Sequence, residues 1–155
     1  SGFLSSSEKK EFYDLFSFVN IDKGLLFSIG EKGGIIMEGN VVDKENLRNL
    51  ILKKRGDEII GFGEKGVFLY DKDGNMKQKV LENSRFISNY VETENYVFFT
   101  EIEGKSFIYS KDLKKKLFEF TIPLGVSGNI VSEKDRLYFI SNKGNFYAIS
   151  IHSFK

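Results

Sequence analysis

The sequence predicts an all-β fold built from four copies of one repeated unit. Aromatic residues supply much of its apolar bulk, with 16 Phe and 7 Tyr among 155 residues, and 15 glycines are available for turns. Ala148 is the only alanine and Pro123 the only proline. Aromatic side chains suit a pleated, half-buried surface, and alanine, the strongest helix former, is nearly missing. The third observation is a glycine pattern that recurs four times.

The glycines of this pattern recur at steps of 33, 38 and 40 residues, and they are Gly33, Gly66, Gly104 and Gly144. A turn-type residue lies nine positions before each of them: Gly24, Asp57, Asn95 and Asp135. An aliphatic residue lies seven positions before each: Leu26, Ile59, Val97 and Leu137. Four windows that align without an insertion indicate a true internal repeat.

Each repeat glycine separates two short apolar runs, which predicts a β-hairpin with the glycine in its turn. Further strands are predicted before the hairpins at 15–20, 50–54, 86–91 and 129–132, and after them at 76–81 and 117–122. Each unit is therefore expected to form a four-stranded antiparallel meander.

Some of the central strands are apolar without interruption, as in the run from Tyr96 to Phe99. Such a run is typical of a strand that is covered on both faces. A unit of about forty residues with four strands matches the blade of a β-propeller, in which blades stack face to face. We predict one β-propeller-like domain over residues 1–155, with units at approximately 12–46, 47–83, 84–123 and 124–155.

The last unit, residues 135–150, resembles the repeat of quinoprotein-like (PQQ-like) β-propellers. It reads as an apolar strand, a polar turn that ends in Gly144, and then the aromatic-Ala-aliphatic strand Phe146-Tyr147-Ala148-Ile149. The other three units keep the glycine and the apolar strands but lose the alanine, and Ser150 stands where that family usually has Asp. The resemblance implies blades of a ring with six to eight members. It does not imply a quinone cofactor, because the Trp and Cys residues that stack on it are missing from the chain.

Four blades leave three ways of completing the ring open. The chain could form a small closed ring, a half propeller that a second copy completes as a homodimer, or an arc with further blades elsewhere. The last unit is short, and residues 2–5 could supply its closing strand. The outer surfaces that must be hidden are expected around Phe16 and Phe18 in the first unit and around Tyr147 and Ile149 in the last.

Composition excludes several classes of function. Without cysteine the chain has no disulfide, no thiolate metal site and no cysteine nucleophile. A net charge of +1 gives no overall preference for nucleic acid. No apolar run is long enough to span a bilayer as a helix. Abundant Lys and Glu resemble a thermophile composition. The chain opens Ser1-Gly2, as a chain trimmed of a signal peptide or anchor would, which favours an extracytoplasmic compartment.

No segment of the sequence carries a complete catalytic, cofactor or metal motif. His152 is the only histidine and has no partner that the sequence can place. Residues 71–75 begin like a calcium loop, but Met76 stands where such a loop needs glycine, so a hairpin turn is expected. Lys114 to Lys116 precede an alternating strand and are expected to lie at its exposed edge.

The doubled Gly-Glu-Lys-Gly, at Gly30 and Gly63, opens no helix and is expected to be a turn. The sequence thus predicts no catalytic residue, no metal ligand and no cofactor. It favours a non-enzymatic protein-interaction or scaffold module with a protein partner. The alternative is a ligand-binding or enzymatic propeller fragment whose site forms only with further blades or a second copy.

Overall fold

The computed structural model describes residues 14–37, 40–43 and 45–152. These residues form four separate antiparallel sheets and contain no helix. In every sheet the strands lie side by side in chain order, so each sheet is a meander. The predicted all-β fold of blade-like units is confirmed. Residues 2–5, predicted as a closing strand, lie outside the described residues.

The first two blades have four strands each. The strands of the first blade are β1 (Leu15–Ile21), β2 (Gly24–Ile29), β3 (Ile35–Met37) and β4 (Asn40–Asp43). The strands of the second blade are β5 (Leu50–Arg55), β6 (Glu58–Gly63), β7 (Gly66–Tyr70) and β8 (Met76–Glu82). The short strand β4 was not predicted, because only Val41 and Val42 in it are apolar.

The third blade again has four strands, whereas the fourth has three. The strands of the third blade are β9 (Ile87–Glu92), β10 (Tyr96–Glu101), β11 (Lys105–Ser110) and β12 (Lys116–Thr121). The strands of the fourth blade are β13 (Val131–Glu133), β14 (Arg136–Ile140) and β15 (Phe146–Ser150). Within the described residues the fourth blade therefore has no outer strand that corresponds to β4, β8 and β12.

Three hydrophobic cores lie between successive blades. The core between the first and second blades contains Ile21, Leu26, Ile35, Leu50, Leu52, Ile59, Phe68 and Tyr70. The core between the second and third contains Ile60, Phe62, Val67, Leu69, Ile87, Val97, Phe99, Phe107, Tyr109 and Leu113. The core between the third and fourth contains Phe98, Ile108, Ile122, Val126, Leu137, Phe139 and Ile151.

Neighbouring residues of the inner strands serve different cores. Phe98 and Phe99 are both fully buried, but Phe98 packs against the fourth blade and Phe99 against the second. Successive side chains of a strand point to opposite faces of the sheet, so both faces of the third blade are covered. This explains why the run from Tyr96 to Phe99 on β10 is continuously apolar rather than alternating, as the sequence indicated.

The alignment of the first unit by its glycine is wrong by one residue. The repeat spacing equates Leu26 with Ile59, yet Leu26 faces the next blade whereas Ile59 faces the preceding one. The residue that matches Leu26 in direction is Ile60. The loop of the first hairpin is longer, running from Gly30 to Gly34, and a shift of one residue moves a side chain to the other face.

Polar side chains join the inner strands of successive blades. The backbone N–H of Leu52 donates to Ser17 Oγ at 3.0 Å, and Ser17 Oγ donates to the carbonyl of Leu50 at 2.6 Å. Farther along, Ser132 Oγ donates to the carbonyl of Glu92 at 3.0 Å. These bonds satisfy backbone groups where two separate sheets meet, and they fix the stacking of one blade on the next.

Candidate functional site on the two terminal blades

The free face of the first blade carries an apolar ladder across all four strands. Phe18 on β1 lies opposite Phe27 on β2, Phe27 opposite Ile36 on β3, and Ile36 opposite Val41 on β4. The rings of Phe18 and Phe27 have centroids 5.9 Å apart. Phe18 is 62% exposed and Val41 54%. Large apolar side chains therefore remain in solvent on the face that points away from the second blade.

The free face of the fourth blade carries a second apolar surface. Tyr138 and Phe146 stack with ring centroids 6.4 Å apart, and Val131 lies opposite Tyr138 in the sheet. Phe146 is 67% exposed and its cross-strand partner Ile140 is 61% exposed. By contrast, Phe98 and Thr100, which occupy the matching positions of the third blade, are fully buried.

The expectation for this surface was wrong by one residue. Tyr147 and Ile149, which the sequence assigned to the free face, pack instead against the core shared with the third blade. The ring of Tyr147 stacks on Phe139 at 5.2 Å. In a strand covered on only one face the sequence pattern Phe-Tyr-Ala-Ile does not reveal which alternate set points inward. The expectation for Phe16 and Phe18 holds, since both are exposed.

The outer edge of β15 has no partner strand among the described residues. The backbone N–H of Ile151 donates inward to the carbonyl of Asp135 at 2.8 Å. Because hydrogen-bonding directions alternate along an antiparallel strand, the N–H groups of Phe146, Ala148 and Ser150 point away from β14. An exposed edge of this kind is a template for one more strand.

An apolar cavity of about 290 Å³ lies beside this edge, between the third and fourth blades. It is lined by Ile108, Phe118, Glu119, Phe120, Ile149, Ser150, Ile151 and His152. Its walls come from β11 and β12 of the third blade, and from β15 of the fourth blade together with the two residues that follow it. In the second blade the corresponding position is filled, since Met76 of β8 packs into the core shared with the first blade.

The space around the repeat glycines also differs between the fourth blade and the second and third blades. A Cβ built on Gly66 would lie 1.9 Å from the carbonyl oxygen of Leu81, and one on Gly104 would lie 1.9 Å from that of Ile122. In both blades the end of the outer strand therefore presses on the hairpin turn. A Cβ on Gly144 would meet nothing within 4 Å, because the described residues place no outer strand there.

A larger cleft of about 450 Å³ lies between the second and third blades and carries mixed charges. Arg55 Nε donates to Glu92 Oε1 at 2.8 Å, and Lys77 pairs with Glu58. Lys111 Nζ also lies 3.7 Å from Glu92 Oε1. Partial burial alone would raise the pKa of Glu92, but the Arg55 hydrogen bond holds it below its ordinary range. The Arg55–Glu92 pair joins the second blade to the third, whereas the Lys77–Glu58 and Lys111–Glu92 pairs each lie within one blade.

The sequence candidates are dispersed over the molecule. His152 is exposed and lies at the rim of the apolar cavity. Asp71 Oδ1 accepts the N–H groups of Asp73 and Asn75, both at 2.9 Å, in the turn between β7 and β8. That geometry is the expected hairpin turn. The part of the chain that the structure describes contains no group of three His, Cys, Asp or Glu residues that could hold a metal ion.

The lysine run lies in the turn before β12 and at the start of that strand, and the doubled glycine motif lies in two turns. Lys114 lies in the turn before β12, and Lys116 is the first residue of that strand. The Lys116 Nζ atom lies 3.2 Å from Glu119 Oε1. Phe118 and Phe120, which follow the lysines, pack against the core between the third and fourth blades. Both copies of Gly-Glu-Lys-Gly connect the central strands of a hairpin. No helix in the described ranges is long and apolar enough to cross a membrane.

No family model matches this chain, and no curated protein is similar to it. Solved structures do match. The computationally designed Ika4 protein has a TM-score of 0.64 at 10% identity, with 94% of this chain and 95% of that chain covered. The computationally designed Ika8 protein has a TM-score of 0.63 at 10% identity, with 88% of this chain and 46% of that chain covered.

A natural enzyme is also similar in structure. Virginiamycin B lyase from Staphylococcus aureus has a TM-score of 0.51 at 14% identity, with 89% of this chain and 56% of that chain covered. The chain thus spans about half the length of Ika8 and of the lyase. At these identities the likeness concerns the fold alone, and the chain has a propeller-type fold of four blades.

Proposed function

We propose that the chain is a non-enzymatic interaction module whose partner is a second copy of itself, the two copies joining their blades into one eight-bladed ring. The observation that carries this proposal is the exposure of Phe18 and Phe146 on the two terminal faces. Apolar surfaces of this kind mark interaction sites in proteins that are otherwise well packed.

The order of the blades favours a second copy as the partner. Each internal core joins the forward face of one blade to the backward face of the next. The free face of the first blade is a backward face and that of the fourth is a forward face. Two copies related by a two-fold axis would bring these surfaces together twice and leave no open face.

The lengths of Ika8 and of the lyase favour the same arrangement, whereas Ika4 matches this chain over nearly its whole length. About half of Ika8 and of the lyase corresponds to this whole chain. The resemblance of residues 135–150 to quinoprotein-like repeats enters the proposal as architecture, because such repeats form blades of larger rings. The proposed module has a scaffold role and needs no catalytic group of its own.

Sedimentation equilibrium at micromolar concentration tests the proposal. One chain has a mass of 17.8 kDa, and we expect a species of twice that mass. The variants Phe18→Glu and Phe146→Glu should sediment as monomers with an unchanged far-ultraviolet spectrum, because a charge on either terminal face opposes its burial. Ile102→Glu is the matched control, since Ile102 is also exposed but lies in the β10–β11 turn. A monomeric wild-type chain would overturn the proposal.

A further inference from the structure

We infer that the edge of β15, with the apolar cavity beside it, is a docking site for the N-terminal segment at residues 2–5 of a second copy, which adds the missing fourth strand to the fourth blade. This inference rests on the proposed function, because it takes the strand from the neighbouring copy. It identifies a second contact between copies, along a strand edge, in addition to the contact of the apolar faces.

Three features of the fourth blade coincide at this place. The N–H groups of Phe146, Ala148 and Ser150 point to an edge that has no partner strand within residues 14–152. The cavity of about 290 Å³ lies on one side of that edge. No described residue fills the space against Gly144, whereas a carbonyl oxygen occupies the matching space at Gly66 and at Gly104. One additional strand would satisfy all three.

The chain order identifies the segment that would supply this strand. In the first three blades the outer strand runs into the inner strand of the next blade after a connection of four to nine residues. The same rule applied to β1, which begins at Leu15, places an outer strand that ends between residues 5 and 10. That strand belongs to the blade that precedes the first one in the ring.

The preceding blade is the fourth blade of the second copy. All three cores of the described residues join successive blades, and none of them joins the fourth blade to the first. In a two-copy ring the first blade of one chain therefore follows the fourth blade of the other.

The segment has the side chains that this site requires. Phe3 and Leu4 are the only apolar residues among the first ten, apart from Gly2. In a strand their side chains point to opposite faces. One of them would enter the cavity against Phe118 and Ile149, and the other would extend the apolar face that carries Phe146. The mode is strand addition, in which backbone hydrogen bonds bind and alternate side chains fill pockets.

Amide hydrogen exchange in the full chain tests the docking. We expect the amides of Ala148 and Ser150 to exchange at least about tenfold more slowly than an open edge would. In the double variant Phe3→Asp with Leu4→Asp this protection should be lost. The matched control Ile102→Asp changes an exposed apolar residue in the β10–β11 turn, away from β15, and should keep the protection.

A mixing experiment identifies the source of the strand. The chain has no cysteine, so Ser5→Cys can carry a single nitroxide label. Ser5→Cys chains that carry the nitroxide but no ¹⁵N are mixed with ¹⁵N-labelled wild-type chains. The amide signal of Ala148 in the ¹⁵N-labelled chains should then broaden.

Unprotected edge amides in a wild-type dimer would overturn the inference and leave the proposed function intact. Protection that survives the double substitution would also overturn it. So would an Ala148 signal that stays sharp in the mixture. A wild-type chain that sediments as a monomer would overturn the proposed function, and this inference with it.

Discussion

At the scale of single residues, the repeat glycines differ in the number of constraints that require glycine. Gly66 has φ of 146° and Gly144 has φ of 93°, a region that side chains rarely adopt. Gly66 also lies so close to Leu81 that a Cβ would collide with its carbonyl oxygen. Gly144 lacks this second constraint within the described chain. The two positions look identical in the sequence but differ in their surroundings.

Alanine substitutions should separate these two costs. Gly56→Ala should lower the free energy of unfolding by about 1 kcal/mol, because Gly56 has φ of 61° but open space around it. Gly66→Ala should cost about 2 to 3 kcal/mol, because strain and collision add. Urea unfolding of both variants measures the difference. Equal losses would contradict the close approach of Leu81.

A buried carboxyl group makes stability depend on pH. Asp43 is buried and its Oδ2 accepts a hydrogen bond from the Tyr70 hydroxyl at 3.4 Å. Burial raises the pKa of Asp43 above its ordinary 3.8, although the Glu45 amide acts against it. The folded state therefore keeps this proton to a higher pH than the unfolded state does. Between the two pKa values the free energy of unfolding falls as the pH rises.

Asp43→Asn should reveal this dependence. Relative to the variant, the wild-type protein should lose stability as the pH rises from 3.8 through the raised pKa, because only the wild type must bury a charge. Asp71→Asn is a control of opposite sign. Partial burial alone would raise the pKa of Asp71, but hydrogen bonds from the Asn75 and Asp73 amides hold it below the ordinary 3.8. The stability that Asp71 contributes is therefore lost as the pH falls below 3.8. Urea titrations from pH 3 to pH 7 compare the three proteins, and parallel curves would contradict the assignment.

At the scale of elements, the blades are held together by strands that serve two cores at once. Phe98 and Phe99 on β10 contribute to different cores, and Phe139 on β14 stacks near Phe98 with ring centroids 6.5 Å apart. Tyr138, next to Phe139, points to the free face instead. Adjacent aromatic residues of one strand therefore differ in what surrounds them.

Truncation of these aromatic residues should follow this division. Phe98→Ala, Phe99→Ala and Phe139→Ala should each lower the free energy of unfolding by about 3 to 5 kcal/mol, through lost burial and a residual cavity. Tyr138→Ala should cost about 1 kcal/mol or less at concentrations where the chain is monomeric. Chemical denaturation at low protein concentration measures all four. A large loss for Tyr138→Ala would mean that its face is already covered within one chain.

At the scale of the whole molecule, stability depends on what covers the two terminal blades. The internal blade faces are closed by neighbours of the same chain, and the terminal faces carry Phe18 and Phe146 in solvent. If a second copy covers them, folding and association are linked by mass action.

The melting temperature should therefore rise with protein concentration in the wild-type chain. Association stabilises only the folded state, so each tenfold increase in concentration favours it further. The Phe146→Glu variant should melt at one temperature across the same range, because its association is blocked. Differential scanning calorimetry over a hundredfold range of concentration provides the measurement. A wild-type melting temperature independent of concentration would contradict association.

Much of the fold could be predicted from the sequence, because strands, turns and their period are local properties. The glycine spacing and the apolar runs predicted the central hairpins, and continuous runs such as Tyr96 to Phe99 predicted burial on both faces. The predictions failed where the pattern has no direction. Tyr147 was assigned to the wrong face, and Leu26 was aligned with a residue that points the other way.

The sequence by itself determined the class of the protein, the number of its repeats and the turns that join their strands, since these follow from residue type and spacing. Only the tertiary structure decided which alternate side chains face a neighbouring blade, that the described part of the fourth blade has three strands, and where apolar surface stays open. These features depend on contacts between residues far apart in the chain. A one-residue change in register reverses them without changing the pattern.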